Sequence, residues 1–163
     1  MLSRAGKTAV LLLLVAATIG CDRVTKHIAT ENLAGAPAQS FLGDTLRLTY
    51  AENRGGFLSL GADMPPALRT AIFSVVTAIV LLALTAWAWR HRSRTWHTAA
   101  VALFVAGGAS NWVDRVKDGH VVDFLNLGVG WLRTGVFNVA DVAIMLGAAL
   151  FVIAEIRSSA ERR

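Results

Sequence analysis

Residues 8–27 read TAVLLLLVAATIGCDRVTKH, an unbroken apolar run that ends in a charged turn holding Asp22 and Lys26. A stretch of about 20 apolar residues is long enough to cross a bilayer core as a helix. Asp22 and Lys26 stand four apart at its far end, so on a helix they share a face and form an ion pair. A basic start, an apolar run and Ile19-Gly20-Cys21 also imitate the signal peptide of a lipoprotein. Against that, the residues after Cys21 continue a charged helical pattern, and three more apolar stretches follow where a processed lipoprotein would continue as a polar chain.

Those stretches cover about Ala67–Trp89, Thr95–Val113 and Gly135–Ile156. The third span is short and rich in Gly and Ala, and Gly107, Gly108, Ala109 and Ser110 are the small residues that let helices approach closely in lipid. With Thr8–His27 they predict an all-α integral membrane protein of four transmembrane helices, a single membrane domain over residues 1–163. Composition agrees: of 163 residues 55% are hydrophobic and 17% charged, against roughly a quarter charged in soluble domains. The formal charge of +5 would raise the question of nucleic acid on a soluble chain. Here the basic residues cluster as Arg4 and Lys7, as Arg90, Arg92 and Arg94, and as Arg157, Arg162 and Arg163. All three clusters fall on one side of a four-span arrangement, which the positive-inside rule assigns to the cytoplasm together with both termini. Charge therefore reads as topology, with no nucleic-acid partner. Cys21, the single cysteine, forms no intramolecular disulfide and is expected as a small buried residue.

Two segments remain outside, about Ile28–Pro66 and Asp114–Thr134. Thr45-Leu46-Arg47-Leu48-Thr49-Tyr50 alternates polar and apolar residues as a half-buried strand does, and Gly55-Gly56 marks a turn. Val121–Leu125 reads as extended chain. A short sheet resting on the membrane surface is expected.

Charged side chains near a bilayer core are costly and mark functional candidates unless they pair harmlessly. Lys26 allows the plain reading of a snorkelling interfacial anchor. Asn53-Arg54-Gly55 reads equally as a turn or as a grip on an extended peptide. Asn111, Asp114 and Arg115 share a helical face, and the adjoining Asp114 and Arg115 read most simply as a neutralising pair. Asp123, among Val121, Val122 and Phe124, and Asp141, one helical turn after Asn138, lack an equally good local partner, although Asp141 also suits a helix N-terminus. Two carboxyl groups held close in a poorly hydrated site share a proton, so that one activates water while the other hydrogen-bonds a carbonyl. That is aspartic peptidase chemistry and needs no metal or cofactor; His27, His91, His97 and His120 are scattered without ligand spacing. The different class of reading, a small proton-coupled transporter, expects acids near mid-membrane and internal repeats, and neither is seen here; a structural membrane protein is the third.

In this order the motifs resemble those of the lipoprotein signal peptidase (signal peptidase II) family across about 120 residues. Asp22-Arg23-Val24-Thr25-Lys26 matches its Asp-x-x-Thr/Ser-Lys, Asn53-Arg54-Gly55 its Asn-x-Gly, and Asn111-Trp112-Val113-Asp114-Arg115 its Asn-x-x-Asp-Arg. Val121-Val122-Asp123-Phe124 and Phe137-Asn138-Val139-Ala140-Asp141 match its two catalytic motifs. Two departures stand out: Phe57 comes one place early with Leu58 after it, and the Gly-Gly-Ala cluster lies one residue nearer Asn111. The resemblance implies a catalytic dyad of Asp123 and Asp141 and a diacylglyceryl-modified prolipoprotein substrate, cut before its lipidated cysteine. Asn53, Asn111, Arg115 and Asn138 would position substrate or dyad; Asp22, Lys26, Asp114 and Gly55 would support the site. It further implies a small extracytoplasmic sheet cradle and a short mobile amphipathic segment in the first outer stretch. The enzyme would be a monomer surrounded by lipid in the bacterial cytoplasmic membrane, with its site at the outer face.

Overall fold

The computed structural model describes residues 3–55, 63–65, 68, 71–91 and 95–161. Gly56, Phe57, Leu58, Arg92, Arg94, Arg162 and Arg163 lie outside the described residues, as do the side chain of Arg4 and most of the stretch expected to hold the outer amphipathic segment.

Ser3 caps helix α1 (Arg4–Leu33), its hydroxyl accepting from the Gly6 N–H at 3.1 Å. The helix runs through Ile19-Gly20-Cys21 without a break. At 1.5 Å per residue its 30 residues span about 45 Å, well beyond a hydrocarbon core of about 30 Å. Helix α2 (Ile72–Arg90) opens with a wide π-wound turn over Ile72–Val76, where the Ser74 carbonyl also accepts from Trp112 Nε1 at 2.8 Å. Helix α3 (Thr95–Asp118) ends at Gly119, which takes φ +74° and returns its N–H to the Arg115 carbonyl. Helix α4 (Val139–Ala160) starts at a capping box: the Asn138 side chain accepts from the Asp141 N–H, and the Asp141 carboxylate accepts from the Asn138 N–H.

Three helices, Ala5–Leu33, Ile72–Arg90 and Val139–Ala160, are long and apolar enough to cross a membrane. The expected third span is helical and longer than predicted, but it falls outside that set because α3 interleaves polar residues. It is the central element, packing on α1, α2 and α4, and it buries His97, Thr98, Ser110, Asn111 and Asp114. Close approach to α4 depends on missing side chains: a Cβ at Gly107 would lie 2.3 Å from the Ala140 carbonyl oxygen, and one at Gly147 2.6 Å from that of Ala100. Cys21 is exposed on α1, contrary to the expectation of burial, because its side of the helix faces away from α3, where Asp22 and Lys26 point.

The outer segments join in one antiparallel sheet of order β1 (Gln39–Phe41), β2 (Leu46–Asn53), β3 (Val121–Val129) and β4 (Leu132–Arg133). The cradle is thus built from both outer segments and not from the first alone. A bulge lies between Leu48, paired with Leu125, and Ala51, paired with Asp123. Cross-strand partners share a face, so the extra residue in β2 brings Ala51 and Asn53 to the Asp123 side, which an unbroken alternation from Leu48 would have turned away. The sheet stands on the last turns of α1: Ala29, Leu33 and Phe124 are buried together, with Leu48, Tyr50, Leu125 and Val139 against them.

Among the described residues, Lys7, Arg90 and Arg157 lie at one end of the bundle and Asp123 and Asp141 at the other. Lys7 Nζ donating to Thr95 Oγ1 at 3.4 Å and His97 beside Glu155 at 3.0 Å fix the first end. Replacing Gly107 by Val should force α3 off α4, costing about 1–3 kcal/mol as overpacked cores do, and thermal unfolding of the purified protein in detergent would register the loss.

Candidate active site

The site is assembled around one ammonium group. Lys26, 5% exposed, donates to Asp22 Oδ2, Asp114 Oδ2 and Asn111 Oδ1, each at 2.7 Å. Three donors meet three acceptors, so the cation is fully satisfied without water. This replaces the expectation of a snorkelling anchor: the side chain turns inward because α3 offers it two acceptors. Asp22, fully buried, also accepts from Ser110 Oγ at 2.7 Å and from the Ala140 N–H at 2.9 Å, tying α1 to α3 and to the start of α4. Asp114 pairs with Arg23 as well as Lys26, not with its neighbour as expected. Arg115 turns the other way, its Nε and Nη2 donating to the Gly55 carbonyl at 3.1 and 3.0 Å and its Nη1 to Asn111 O at 3.3 Å. Adjacent helix positions point about 100° apart, and the two residues follow that geometry.

Because lysine accepts no hydrogen bond, its contact fixes the Asn111 oxygen toward Lys26 and the amide nitrogen toward α4. Asn111 Nδ2 donates to Asp141 Oδ1 at 2.9 Å. Asp141 Oδ2 accepts from the Asn138 N–H at 3.2 Å. The Asn138 side chain, wholly buried, bridges both aspartates: its Oδ1 accepts from the Asp141 N–H at 2.9 Å and its Nδ2 donates to Asp123 Oδ1 at 2.6 Å. Asp123 Oδ2 accepts from Asn53 Nδ2 at 3.0 Å, and Asn53 Oδ1 accepts from the Gly55 N–H at 3.1 Å, so this Asn serves as turn and as support together. Backbone bonds lock the two segments in register: the Phe124 and Leu125 N–H groups donate to Phe137 O, and the Phe137 N–H donates to Leu125 O.

Among the described residues each aspartate therefore receives two amide donors and no direct cation. Asp123 is 2% exposed; burial, reinforced by the negative field of Asp141, pushes its carboxyl from the usual 3.8 up to about 6, against the pull of the Asn53 and Asn138 amides and of Lys26. Asp141 heads a groove of about 370 Å³ between α2, α3 and α4, with Asn111 and Arg115 beside it and Val80, Leu81, Ile144 and Met145 below. A larger hollow of about 520 Å³ beside Trp96 and Arg157 lies at the basic end and contains none of these carboxylates.

The structure brings together all ten residues singled out in the sequence: Asp22, Lys26, Asn53, Gly55, Asn111, Asp114, Arg115, Asp123, Asn138 and Asp141. It adds Arg23 and Ser110. Ser110 lies four positions before Asp114, on the helical face that meets α1, and that spacing was its available signal.

Fold and site define a helical membrane protein that holds a buried carboxyl group, Asp123, beside a half-buried one, Asp141, which stands at the head of an apolar groove. Residues 14–157 match the family described as signal peptidase (SPase) II, and the chain belongs to that family. It is similar to the lipoprotein signal peptidase of Sphingopyxis alaskensis, 38% identical over 143 residues that cover 86% of this chain and 82% of the relative. With that of Streptococcus pneumoniae it shares 28% identity over 152 residues, 93% of this chain and 95% of the relative. Two solved bacterial membrane enzymes share the fold: one with TM-score 0.81 at 24% identity, covering 95% of this chain and 92% of the other, and one with 0.77 at 26%, covering 90% and 92%.

Two outcomes follow from the electrostatics. Lys26→Met leaves two buried carboxylates short of their cation and should destabilise the protein by about 3–5 kcal/mol, more than Arg23→Gln at its half-exposed site, in thermal unfolding. Between the unfolded value near 3.8 and the folded value of about 6, folded Asp123 keeps a proton that the unfolded chain has released. Its contribution to stability therefore falls as pH rises through that window. Asp123→Asn should remove this slope and unfold at a higher temperature than the unaltered protein above it, as a pH series of melting curves would record.

Proposed function

We propose that this protein removes signal peptides from diacylglyceryl-modified prolipoproteins by cutting before the lipidated cysteine, with Asp123 and Asp141 as an aspartic dyad. The observation that carries the reading is the pair of carboxyl groups bridged by Asn138, with no direct cation on either among the described residues and with Asp141 at the mouth of an apolar groove. Cationic contact would lower their basicity; amide donors orient them without neutralising them.

In the reaction one carboxylate takes a proton from water, and the resulting hydroxide oxygen bonds to the scissile carbonyl carbon. The protonated partner donates to the carbonyl oxygen, and collapse of the tetrahedral species breaks the C–N bond as a proton passes to the departing amine of the cysteine. In its reactive form the dyad holds one proton between its members, and the pair titrates as a unit. Asn111, Asn138 and Asn53 orient the acids, Arg115 holds the Gly55 end of β2 beside them, and Asp22, Lys26 and Asp114 form the support. Val80, Leu81, Ile144 and Met145 line a groove suited to apolar chains of the substrate.

The same reading makes α3 the fourth membrane span, its polar residues sheltered by the other helices, in one membrane domain that needs no cofactor and acts as a monomer. The basic end faces the cytoplasm, as Lys7, Arg90 and Arg157 favour, which puts both termini inside and the dyad at the outer face of the bacterial cytoplasmic membrane.

Cleavage of a purified diacylglyceryl-modified prolipoprotein in detergent tests this. The unaltered protein should cut before the lipidated cysteine, and Asp123→Asn and Asp141→Asn, each shown to be folded, should lose at least about 100-fold in rate, as removal of a general acid or base does. The rate should fall on both the acid and alkaline flanks, where the shared proton is doubled or lost; full activity in a folded single variant would sink the dyad.

A further inference from the structure

The sheet has two ends. One carries Asp123 and Asn53. The other lies six residues further along β3, about 20 Å at the usual strand rise. There Leu46 pairs with Leu127, and the Gly128 N–H donates to Thr45 O at 2.9 Å, which sets the β1–β2 turn beside the β3–β4 hairpin. Arg133 Nη1 ties the two by donating to Asp44 O at 2.6 Å.

This end presents apolar side chains to its surroundings: Leu42 is 78% exposed, Val129 75%, Trp131 93% and Leu132 68%, with Phe41 at 44%. Sheet ends and hairpin tips in water carry polar or charged residues, and a contiguous apolar patch marks a contact surface. Backbone geometry is committed to it. Gly130, at φ +57°, takes the first central place of a two-residue turn and leaves Trp131 at the apex. Leu42 stands at φ +52°, where a branched side chain is strained and Gly or Asn would fit more easily.

The charge and the position name the partner. Residues 39–47 and 126–134 hold three charged side chains, Arg47, Arg133 and Asp44, and Arg47 Nε bonds Asp44 Oδ1 at 2.6 Å. The tip is therefore cationic by one charge, with a tryptophan at its apex, the combination that settles at a phospholipid headgroup layer. The sheet also stands on the end of α1, a helix long and apolar enough to cross a membrane, so a bilayer surface lies next to it.

We infer that the paired hairpin tips dip into the headgroup region of the bilayer, with Trp131, Leu42 and Leu132 as the inserted side chains. The sheet is then held at both ends, by α1 beneath Phe124 and by lipid at the tip, and the Asp123 end is kept at a fixed height above the groove. This requires that the helices cross a bilayer and does not depend on the peptidase reading.

The test uses the full chain in vesicles of mixed zwitterionic and anionic phospholipid, with an environment-sensitive fluorophore at position 131 introduced by Trp131→Cys in a Cys21→Ser background. A nitroxide on the lipid headgroup should quench this label, and its accessibility to aqueous iodide should drop severalfold against the same protein unfolded. Leu42→Asp with Leu132→Asp should restore iodide access. Full iodide access in the unaltered tip would overturn the inference; so would protection that grows with protein density in the vesicle, which would assign the patch to a second copy of the chain. Prolipoprotein cleavage measured in the same vesicles reports separately on the peptidase reading.

Discussion

An ammonium ion in an apolar bundle is tolerable only if all three of its protons are taken, and the contacts of Lys26 with Asp22, Asp114 and Asn111 meet that requirement. The rest of the site is a consequence of this constraint. With Arg23 on the other oxygen of Asp114, two acids and two bases cancel, so the support carries no net charge. Asn111 cannot turn over, since a flipped amide would aim its NH2 at the ammonium. Its fixed orientation delivers a donor to Asp141, and through the cap at Asn138 the same order reaches Asp123 on the sheet. A single cation thus sets the geometry of two carboxyl groups it does not touch.

The neutral support and the uncompensated pair play opposite thermodynamic parts. Asp22 and Asp114 are stabilised by full pairing. Asp123 is held where ionisation is disfavoured, which lowers stability once it ionises above about pH 6 and leaves an acid that keeps its proton to higher pH than an exposed carboxyl does. Such a cost persists only where surrounding structure enforces it. The enforcing structure is the antiparallel bridge between β3 and the Phe137 segment, together with the bulge that turns Asn53 toward the acid.

How much of this could be read from the sequence follows from what each feature depends on. Apolar length is local, so α1, α2 and α4 were evident to within several residues, and the stretch of α3 was found even though its polar residues dilute the pattern. Side-chain spacing on a helix is also local, which is why Asp22 with Lys26 was legible as a pair. The partner of Asp114 was not: the nearest opposite charge in sequence, Arg115, points elsewhere, and the true partners come from α1, about 90 positions earlier. Cys21 was misjudged for a related reason. Beside a membrane helix, small and apolar does not mean buried, because lipid is as good a solvent for such a side chain as the core. The sheet was half seen, since alternation in Thr45–Tyr50 revealed β2 while its pairing with β3 is a long-range fact. The bulge after Leu48 breaks that alternation just before Asn53.

A helix alone can present Asp141 with high precision, because a capping box fixes the first turn. It cannot present a second carboxyl group opposite the first, since residues on one helix diverge by about 100° at each step. Placing Asp123 on a strand solves the geometric problem but introduces another: short sheets are marginal unless they pack on something. Here the overhang of α1 supplies the packing surface through Ala29 and Leu33. The length of the first helix, which exceeds what crossing a bilayer requires, is therefore part of the site: shorten it, and the strand that carries one of the two acids loses its foundation.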